Sequence, residues 1–499
     1  MHVCIVGTGA AGWIAYHHLK HLPLVNKITV IGSPTIPKIG VGESTTVPFR
    51  EFTEQKLGLT TEEYFKFLID IDAAIKYGVN YEGWGKRNFL HAFPSQTETE
   101  LTLYGMGNKH PDDNFNDYNI ALLKEIYNNN VYLDPKVQNY TFHFDAGKFI
   151  NVMKKLSEAD DKIIYIEDTV LDSKYNSNGC CEEVILESGG TIAADYFISC
   201  IGQTAFNQKV FKEEYISYSD KLLTTKALFY PMKYTDRKKE MHPYTVAKTM
   251  KYGWRWITPT LSRIGTGYVF SHNHVSVDEA INEFITDIGD KSIEPNIVDF
   301  YPRRVKEVFK FNTCTIGMAS GFLEPLDAPG LAATVGMMRE LEEILIQYMQ
   351  WGMPNNTYPS DHPSVRVIKD SNKFWQRDYN EWCSFILHQY KTCIRNDSQF
   401  WIDHKNVQFD FYDDLTNSIF NPQIKYHSSD DVVYLDYDPY VREPIMFFKT
   451  TAGKDVNWNV KVNVTGNRVK QLTNLNPLMM YNQSEMFDKI QKYYGERNV

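Results

Sequence analysis

The chain has 499 residues, 43% of them apolar and 14% aromatic, and a formal net charge of −10. That length exceeds one ordinary core and predicts two or three lobes. The acidic balance excludes nucleic acid as a main partner, because phosphate binding needs a basic surface, and no apolar run of about 18 residues is present to form a transmembrane helix.

The opening MHVCIVGTG enters a strand at once, with no charged leader and no cleavage site, so no secretory signal is expected. The seven cysteines (4, 180, 181, 200, 314, 383 and 393) are odd in number, widely spread and form no CxxC pair. That pattern suits reduced thiols and predicts a cytoplasmic protein. No His/Cys/Asp spacing suggests a metal site.

Residues 3–6 (VCIV) read as a short apolar strand, followed by a helix with Ala11, Ile14, Ala15, Leu19 and Leu22 on one face. Residues 27–31 (KITVI) read as the next strand, so a parallel sheet with crossover helices is expected. Between strand and helix stands G-T-G-A-A-G. Gly7 permits the tight turn, Gly9 lets a pyrophosphate approach the backbone, and Gly12 lets the helix pack on the sheet. Ala10 and Ala11 open the helix, whose N–H groups and positive dipole end face the phosphates. A plain strand-to-helix turn would show the same glycines. The acid that often binds ribose after the second strand is missing, for Gly32 and Ser33 follow Ile31. Ser33 or the backbone must then serve.

Further on, Ser44 and Thr45 precede a helical-looking PFREFTEQKLG and read as an N-cap box. Lys76 lies in A-A-I-K-Y-G-V, flanked by apolar residues, where burial lowers an ammonium's pKa. A lysine whose stem packs while its head reaches water fits the same pattern. His143 in F-H-F-D reads more readily as a satisfied structural histidine than as an acid–base group. EEVILESGGTIAADYFISCIG alternates like paired strands around a Gly-Gly turn. Its last part, residues 194–202, puts an aspartate before an apolar strand ending in Gly202, a segment with which many FAD proteins return to the dinucleotide. In GWRWITP, Trp254 and Trp256 at spacing two point to one face of a strand that Pro259 then stiffens. RIGTGYVFS reads as another strand. In GFLEPLDAPG, Asp327 reads either as a functional carboxylate or as a turn or cap residue. TVGMMRELEEILIQYMQ and KFWQRDYNEWCSFILHQYKTC carry apolar residues at helical spacing, and the Asp- and Asn-rich stretch near 409–438 reads as loop.

Taken together these segments resemble the flavin-dependent halogenases of the tryptophan-halogenase type. IPKIGVGEST (36–45), DAAIKYGVNYEGW (72–84), FHFDAGKF (142–149), YSDKLL (218–223), GWRWITPTLSRIGTGYVFS (253–271), IGMASGFLEPLDAPG (316–330) and FILHQYKTCIRNDSQFW (385–401) match in order. The opening glycine motif is common to flavin monooxygenases; the W-x-W-x-x-P block is more specific.

The resemblance implies an α/β protein with a Rossmann-type, GR2-like FAD-binding fold of the flavin monooxygenase kind and an added helical substrate lobe. Residues 1–345 would form a discontinuous FAD-binding module with substrate-side insertions near 51–139 and 231–309, and 346–499 the mostly helical lobe. It implies a separate flavin reductase as the source of FADH2, oxidation of halide to hypohalous acid, and passage of that acid through a tunnel to an electron-rich aromatic. Lys76 would be the amine that receives it and Asp327 the base. Val41, Gly42, Glu43, Ser44, Leu326 and Gly330 would join the cofactor-binding residues. Trp254, Trp256 and Pro259 would wall the substrate from the flavin.

The sequence departs from the family where glutamate, serine and threonine commonly precede the glycine: Asp327, Ala328 and Pro329 stand there. Aspartate is one methylene shorter. Pro329 lacks an N–H, so of the halide-binding pair Pro329 and Gly330 only Gly330 keeps a donor. A looser halide site predicts a preference for bromide or iodide over chloride. Phe374, Trp375, Trp382 and Phe385 are candidate pocket aromatics, with core packing the plainer reading. A flavin monooxygenase or an inactive FAD-binding relative are the alternative functions, and an oligomer remains open.

Overall fold

The computed structural model describes residues 1–36, 44–93, 126–131, 139–203, 205–420, 426–429, 432–435 and 481–497. Val41, Gly42 and Glu43 lie outside them.

A five-stranded sheet holds, in order, Thr313–Thr315, Tyr196–Ser199, His2–Val6, Lys27–Gly32 and Ile163–Glu167, all parallel. Its three central strands are short, mostly apolar runs buried on both faces, as a parallel sheet covered by helices requires, while the edge strand Ile163–Glu167 is partly exposed. The helix Ala10–Leu19 crosses between the first two strands, apolar nearly all round and buried accordingly. An antiparallel meander of Val170–Tyr175, Cys181–Leu186 and Thr191–Ala193 precedes the strand Tyr196–Ser199. This is the Rossmann-type FAD-binding architecture expected above.

A second sheet of seven strands carries Tyr81, His91, Trp254 and Trp256. Its order is Asn296–Asp299, Lys226–Met232, Ile264–Phe270, Gly253–Pro259, Thr245–Met250, Gly78–Glu82 and Phe89–Ala92. The last three of these meet through one parallel and one antiparallel pairing. The short strand Ala74–Lys76 lies just before Gly78–Glu82 and pairs antiparallel with Thr141–His143.

Two long helices, Gly330–Trp351 and Pro363–Lys391, pack on one another. They approach closely at Gly336, where an added Cβ would lie 3.0 Å from the Trp375 ring. Residue 345, the domain boundary drawn above, falls inside the first helix. No helix among the described residues is long and apolar enough to cross a membrane.

Two local expectations need correction. The stretch near 409–438 is not simply loop: it forms the helix Asp410–Phe420 and a hairpin of Tyr426–Ser429 with Val432–Leu435. Tyr412 and Leu415 are buried three residues apart while Asp413 and Asp414 face solvent, so the acidic residues mark one face of an amphipathic helix. Nor do Ser44 and Thr45 cap a helix. The helix Val47–Lys56 starts after Thr46 with no side-chain cap bond. Thr45 Oγ1 instead donates to the Phe142 carbonyl at 2.6 Å, and Ser44 Oγ pairs with Thr245 Oγ1 at 2.8 Å.

Candidate functional site

At the sheet's C-terminal edge the three glycines behave differently. Gly7 has φ 117° and its N–H donates to the Ile31 carbonyl at 2.8 Å. A Cβ there would lie 2.4 Å from the Cys200 carbonyl oxygen, and one on Gly12 would lie 2.0 Å from the Gly7 oxygen. A Cβ on Gly9 would meet nothing within 4 Å. Two glycines are therefore required by packing, and the third leaves open space beside a helix with neither a side-chain cap nor an acid in its first turn. That is a cradle for a pyrophosphate, and it fits the FAD that the fold implies. Half-buried Ala10 and Ala11 begin that helix, and Ala11 meets Gly317, whose added Cβ would sit 2.5 Å away. The helix Gly330–Trp351 packs on it and starts equally uncapped at Pro329, with open space at Gly330. Leu326 is fully buried. Gly202 takes φ 75° beside open space. Ser33 follows the second strand with its Oγ 2.9 Å from Thr169 Oγ1 and 3.1 Å from Thr35 Oγ1, a hydroxyl cluster where a ribose acid commonly stands.

Lys76 is completely buried. Its Nζ donates to the Thr45 carbonyl at 2.7 Å and lies 5.2 Å from the centre of the Phe93 ring. Burial brings its pKa down to about 7, against the opposing pull of the Asp327 charge. The strand beneath it is held from far away in the chain: the Ile75 N–H donates to Gln483 Oε1, and Gln483 Nε2 donates to the Met241 carbonyl at 3.1 Å.

Behind the lysine His143 is also fully buried. Its Nδ1 sits 2.9 Å from the Pro259 carbonyl, which only accepts, so Nδ1 carries a proton. Nε2, 2.8 Å from Thr245 Oγ1, then accepts. Burial and the Lys76 charge hold the imidazole well below its ordinary pKa. Both nitrogens are satisfied, as a structural histidine requires, and the pairing ties the Lys76 region to the proline of the W-x-W-x-x-P strand.

The second carboxylate, Asp327, stands in a turn with φ 62°, followed by Ala328 at φ 55°. Two successive left-handed residues bearing Cβ atoms cost roughly 1–2 kcal/mol each. Asp327 does not cap the next helix, whose N-cap Pro329 makes no side-chain bond. Oδ1 accepts from the Tyr81 hydroxyl at 3.1 Å. Oδ2 lies 3.4 Å from His91 Nδ1 and accepts no hydrogen bond. Tyr81 is stacked on Phe89 at 5.0 Å, and the His91 ring lies 6.0 Å from that of Phe385. Of the other candidate aromatics, Trp375 is core, Phe374 is 48% exposed, and half-buried Trp382 lies edge-on to Phe385.

Trp254 and Trp256 are both buried, 6.4 Å apart and inclined at 60°. Trp256 fits over Gly267 of the neighbouring strand, where a Cβ would lie 2.1 Å from its ring. Trp254 Nε1 donates to Glu324 Oε1 at 3.1 Å. Glu324, 1% exposed, also accepts from Thr224 at 2.5 Å and from the Tyr390 hydroxyl at 3.1 and 3.0 Å. Burial nevertheless raises its pKa to about 7. One carboxylate thus joins the tryptophan pair, the long helix Pro363–Lys391 and the Asp327 turn.

Sequence reasoning passed over Glu324, Tyr81, His91 and Gln483. Glu324 stands three residues before Asp327 and Tyr81 five after Lys76, inside segments already singled out; nothing local marks His91 or Gln483. Among the described residues no group of three or more His, Cys, Asp or Glu is placed to hold a metal ion.

A sequence profile of the tryptophan halogenase family matches residues 2–434. Tryptophan 6-halogenase ThaL of Streptomyces albogriseolus is 27% identical over 436 residues, 81% of this chain and 79% of its own. Tryptophan 7-halogenase RebH of Lentzea aerocolonigenes is 25% identical over 434 residues, with the same shares. The structure of a tryptophan halogenase from Shewanella frigidimarina superposes with a TM-score of 0.80 at 23% identity, covering 99% of this chain and 98% of that one. BrvH, a flavin-dependent halogenase from Brevundimonas sp. BAL3, gives 0.72 at 21% identity, covering 99% and 95%; at such identities the likeness speaks for the fold. With the profile spanning most of its length, the chain belongs to the tryptophan halogenase family, an enzyme family of flavin-dependent halogenases.

Proposed function

We propose that this enzyme halogenates an electron-rich aromatic, a phenol or an indole, through Lys76 and Asp327. Reduced FAD, delivered by a separate reductase, supplies with dioxygen the oxidising power that turns halide into hypohalous acid. The chain's own residues divide the remaining work. The cradle of Gly7, Gly9 and Gly12 and the uncapped helix hold the pyrophosphate, with Ser33, Ser44, Gly202, Leu326 and the 41–43 segment as further cofactor contacts. Trp254 and Trp256, pinned by Glu324 and backed by Gly267, keep the arene away from the flavin and let only the small acid pass.

Complete burial of Lys76 is the observation that carries this reading. An amine with a pKa of about 7 keeps a nucleophilic lone pair at neutral pH that an exposed lysine lacks. It takes the positive halogen from the hypohalous acid, and the departing hydroxide takes up a proton to leave as water. The aromatic ring then attacks the halogen, and Asp327 takes the ring proton as aromaticity returns. Gly330 offers halide one backbone N–H where Pro329 offers none, which favours bromide and iodide over the more strongly hydrated chloride.

The test combines the protein with FAD, a flavin reductase, NADH and a phenol, with and without bromide, and reads product masses. Bromide-dependent bromination, lost by about 100-fold or more in Lys76→Ala, is expected. Gain of one oxygen without halogen, or a Lys76→Ala variant equal to wild type, would overturn it.

A further inference from the structure

Asp327 is hydrogen-bonded through one oxygen only. Oδ1 is engaged by the Tyr81 hydroxyl at 3.1 Å, while Oδ2 is buried without a hydrogen bond, 3.4 Å from His91 Nδ1. A buried carboxylate oxygen left unbonded is costly unless something transient uses it. Tyr81 cannot rotate freely, since its ring lies flat on Phe89, 4° from parallel, and edge-on to Trp84 at 5.7 Å. The left-handed backbone at Asp327 limits the carboxylate from the other end. His91 Nδ1, 3.4 Å from Oδ2, can receive a proton, and His91 is 8% exposed.

We propose that Tyr81 and His91 complete the base at Asp327, Tyr81 as a positioning residue that leaves Oδ2 as the one basic atom, and His91 as the group that carries the proton out. The inference rests on the reading of Asp327 given above. The C–H electron pair returns to the ring, the proton goes to Oδ2, and the new O–H donates to His91 Nδ1. For that step Nδ1 is unprotonated and Nε2 carries the hydrogen. The imidazole then passes its extra proton to solvent and Asp327 is ionised for the next turnover. No electron changes owner. A carboxylate one methylene shorter than the family's common glutamate thus acts through a fixed direction instead of a longer reach.

The experiment compares bromination of a ring-deuterated phenol with that of the ordinary phenol, in wild type, Tyr81→Phe and His91→Gln. Tyr81→Phe keeps the ring that stacks on Phe89 and loses only the hydroxyl. Expected is an isotope ratio of about 1 in wild type, rising to about 2 or more in both variants as ring-proton loss becomes slow, with kcat down about 10-fold to 100-fold. Affinity for FAD stays unchanged. Variants whose kcat falls without a rise in the isotope ratio, or in which neither moves, overturn the proposal, because a merely structural role leaves the ratio where it was. Wild type that makes no brominated phenol at all sinks the halogenase reading instead, so the two failures are distinct.

Discussion

Replacing Glu324 by glutamine removes a charge and keeps a shape. The Trp254 N–H and the Tyr390 hydroxyl both reach Oε1, and Thr224 reaches Oε2. A glutamine with its oxygen toward the indole keeps the first two bonds. Its amide N–H donates to Thr224, whose hydroxyl turns from donor to acceptor. The Thr224 bond reverses, and the Tyr390 hydroxyl keeps its 3.1 Å bond to the oxygen while giving up the 3.0 Å one, so the enclosure and the fold survive. The pH dependence of stability does change. The carboxyl's folded value of about 7 stands above its ordinary 4.5. Between those values the unfolded chain is ionised there and the folded chain is not, so stability falls as pH rises from 4.5 to 7 and then levels off. At about 1.4 kcal/mol per pH unit the loss is on the order of 3 kcal/mol. Glu324→Gln escapes it. Relative to wild type the variant gains thermal midpoint steadily from pH 5 to 7, by about 3 °C for a chain this long at ~2.1 cal/mol/K per residue. Groups common to both proteins cancel in the difference. Thermal melts of the pair at closely spaced pH values read it directly. Parallel curves would refute the enclosed-carboxylate argument.

The halogenation rate is expected to rise with pH through about 7 as the Lys76 amine loses its proton, and to do so in Glu324→Gln as well; a fall through that range assigns the work to the ammonium. Gly12→Ala, forced to within 2.0 Å of the Gly7 oxygen, loses stability by about 3 kcal/mol or more. Gly9→Ala keeps its thermal midpoint but binds FAD at least about 10-fold more weakly, as flavin titration checks. Gly267→Ala displaces the Trp256 ring, and the expected result is hypohalous acid escaping to an added scavenger instead of reaching the arene. With equimolar halides the products favour bromide or iodide; predominant chlorination refutes the role given to Pro329.

What the sequence displayed was local. The glycine motif declares itself by its spacing between strand and helix; Gly12 answers to Gly7 five residues before it, whereas the Cys200 carbonyl that requires Gly7 comes from a distant strand end. The apolar flanks of Lys76 fit an enclosed amine and a head in water alike, and only the fold decides between them, with the side chain fully buried. What it hid depends on distance along the chain: Tyr81 and Asp327 meet across 246 positions, Ile75 and Gln483 across 408. Glu324 stood in full view but reads as a loop carboxylate beside a proline until three donors from three elements converge on it. Ser44 and Thr45 read as a cap for the converse reason. Their hydroxyls suit a cap, and only tertiary contacts with Thr245 and Phe142 claim them first.

The turn at Asp327 and Ala328 bears on how this enzyme could be hardened against heat. Glycine at 328 would relax a backbone that alanine holds at φ 55°, and a programme of thermostabilisation would choose it early. The same methyl group narrows the wanderings of the segment next to the carboxylate. Ala328→Gly therefore exchanges aim for ease: a sturdier protein whose base has lost its bearing.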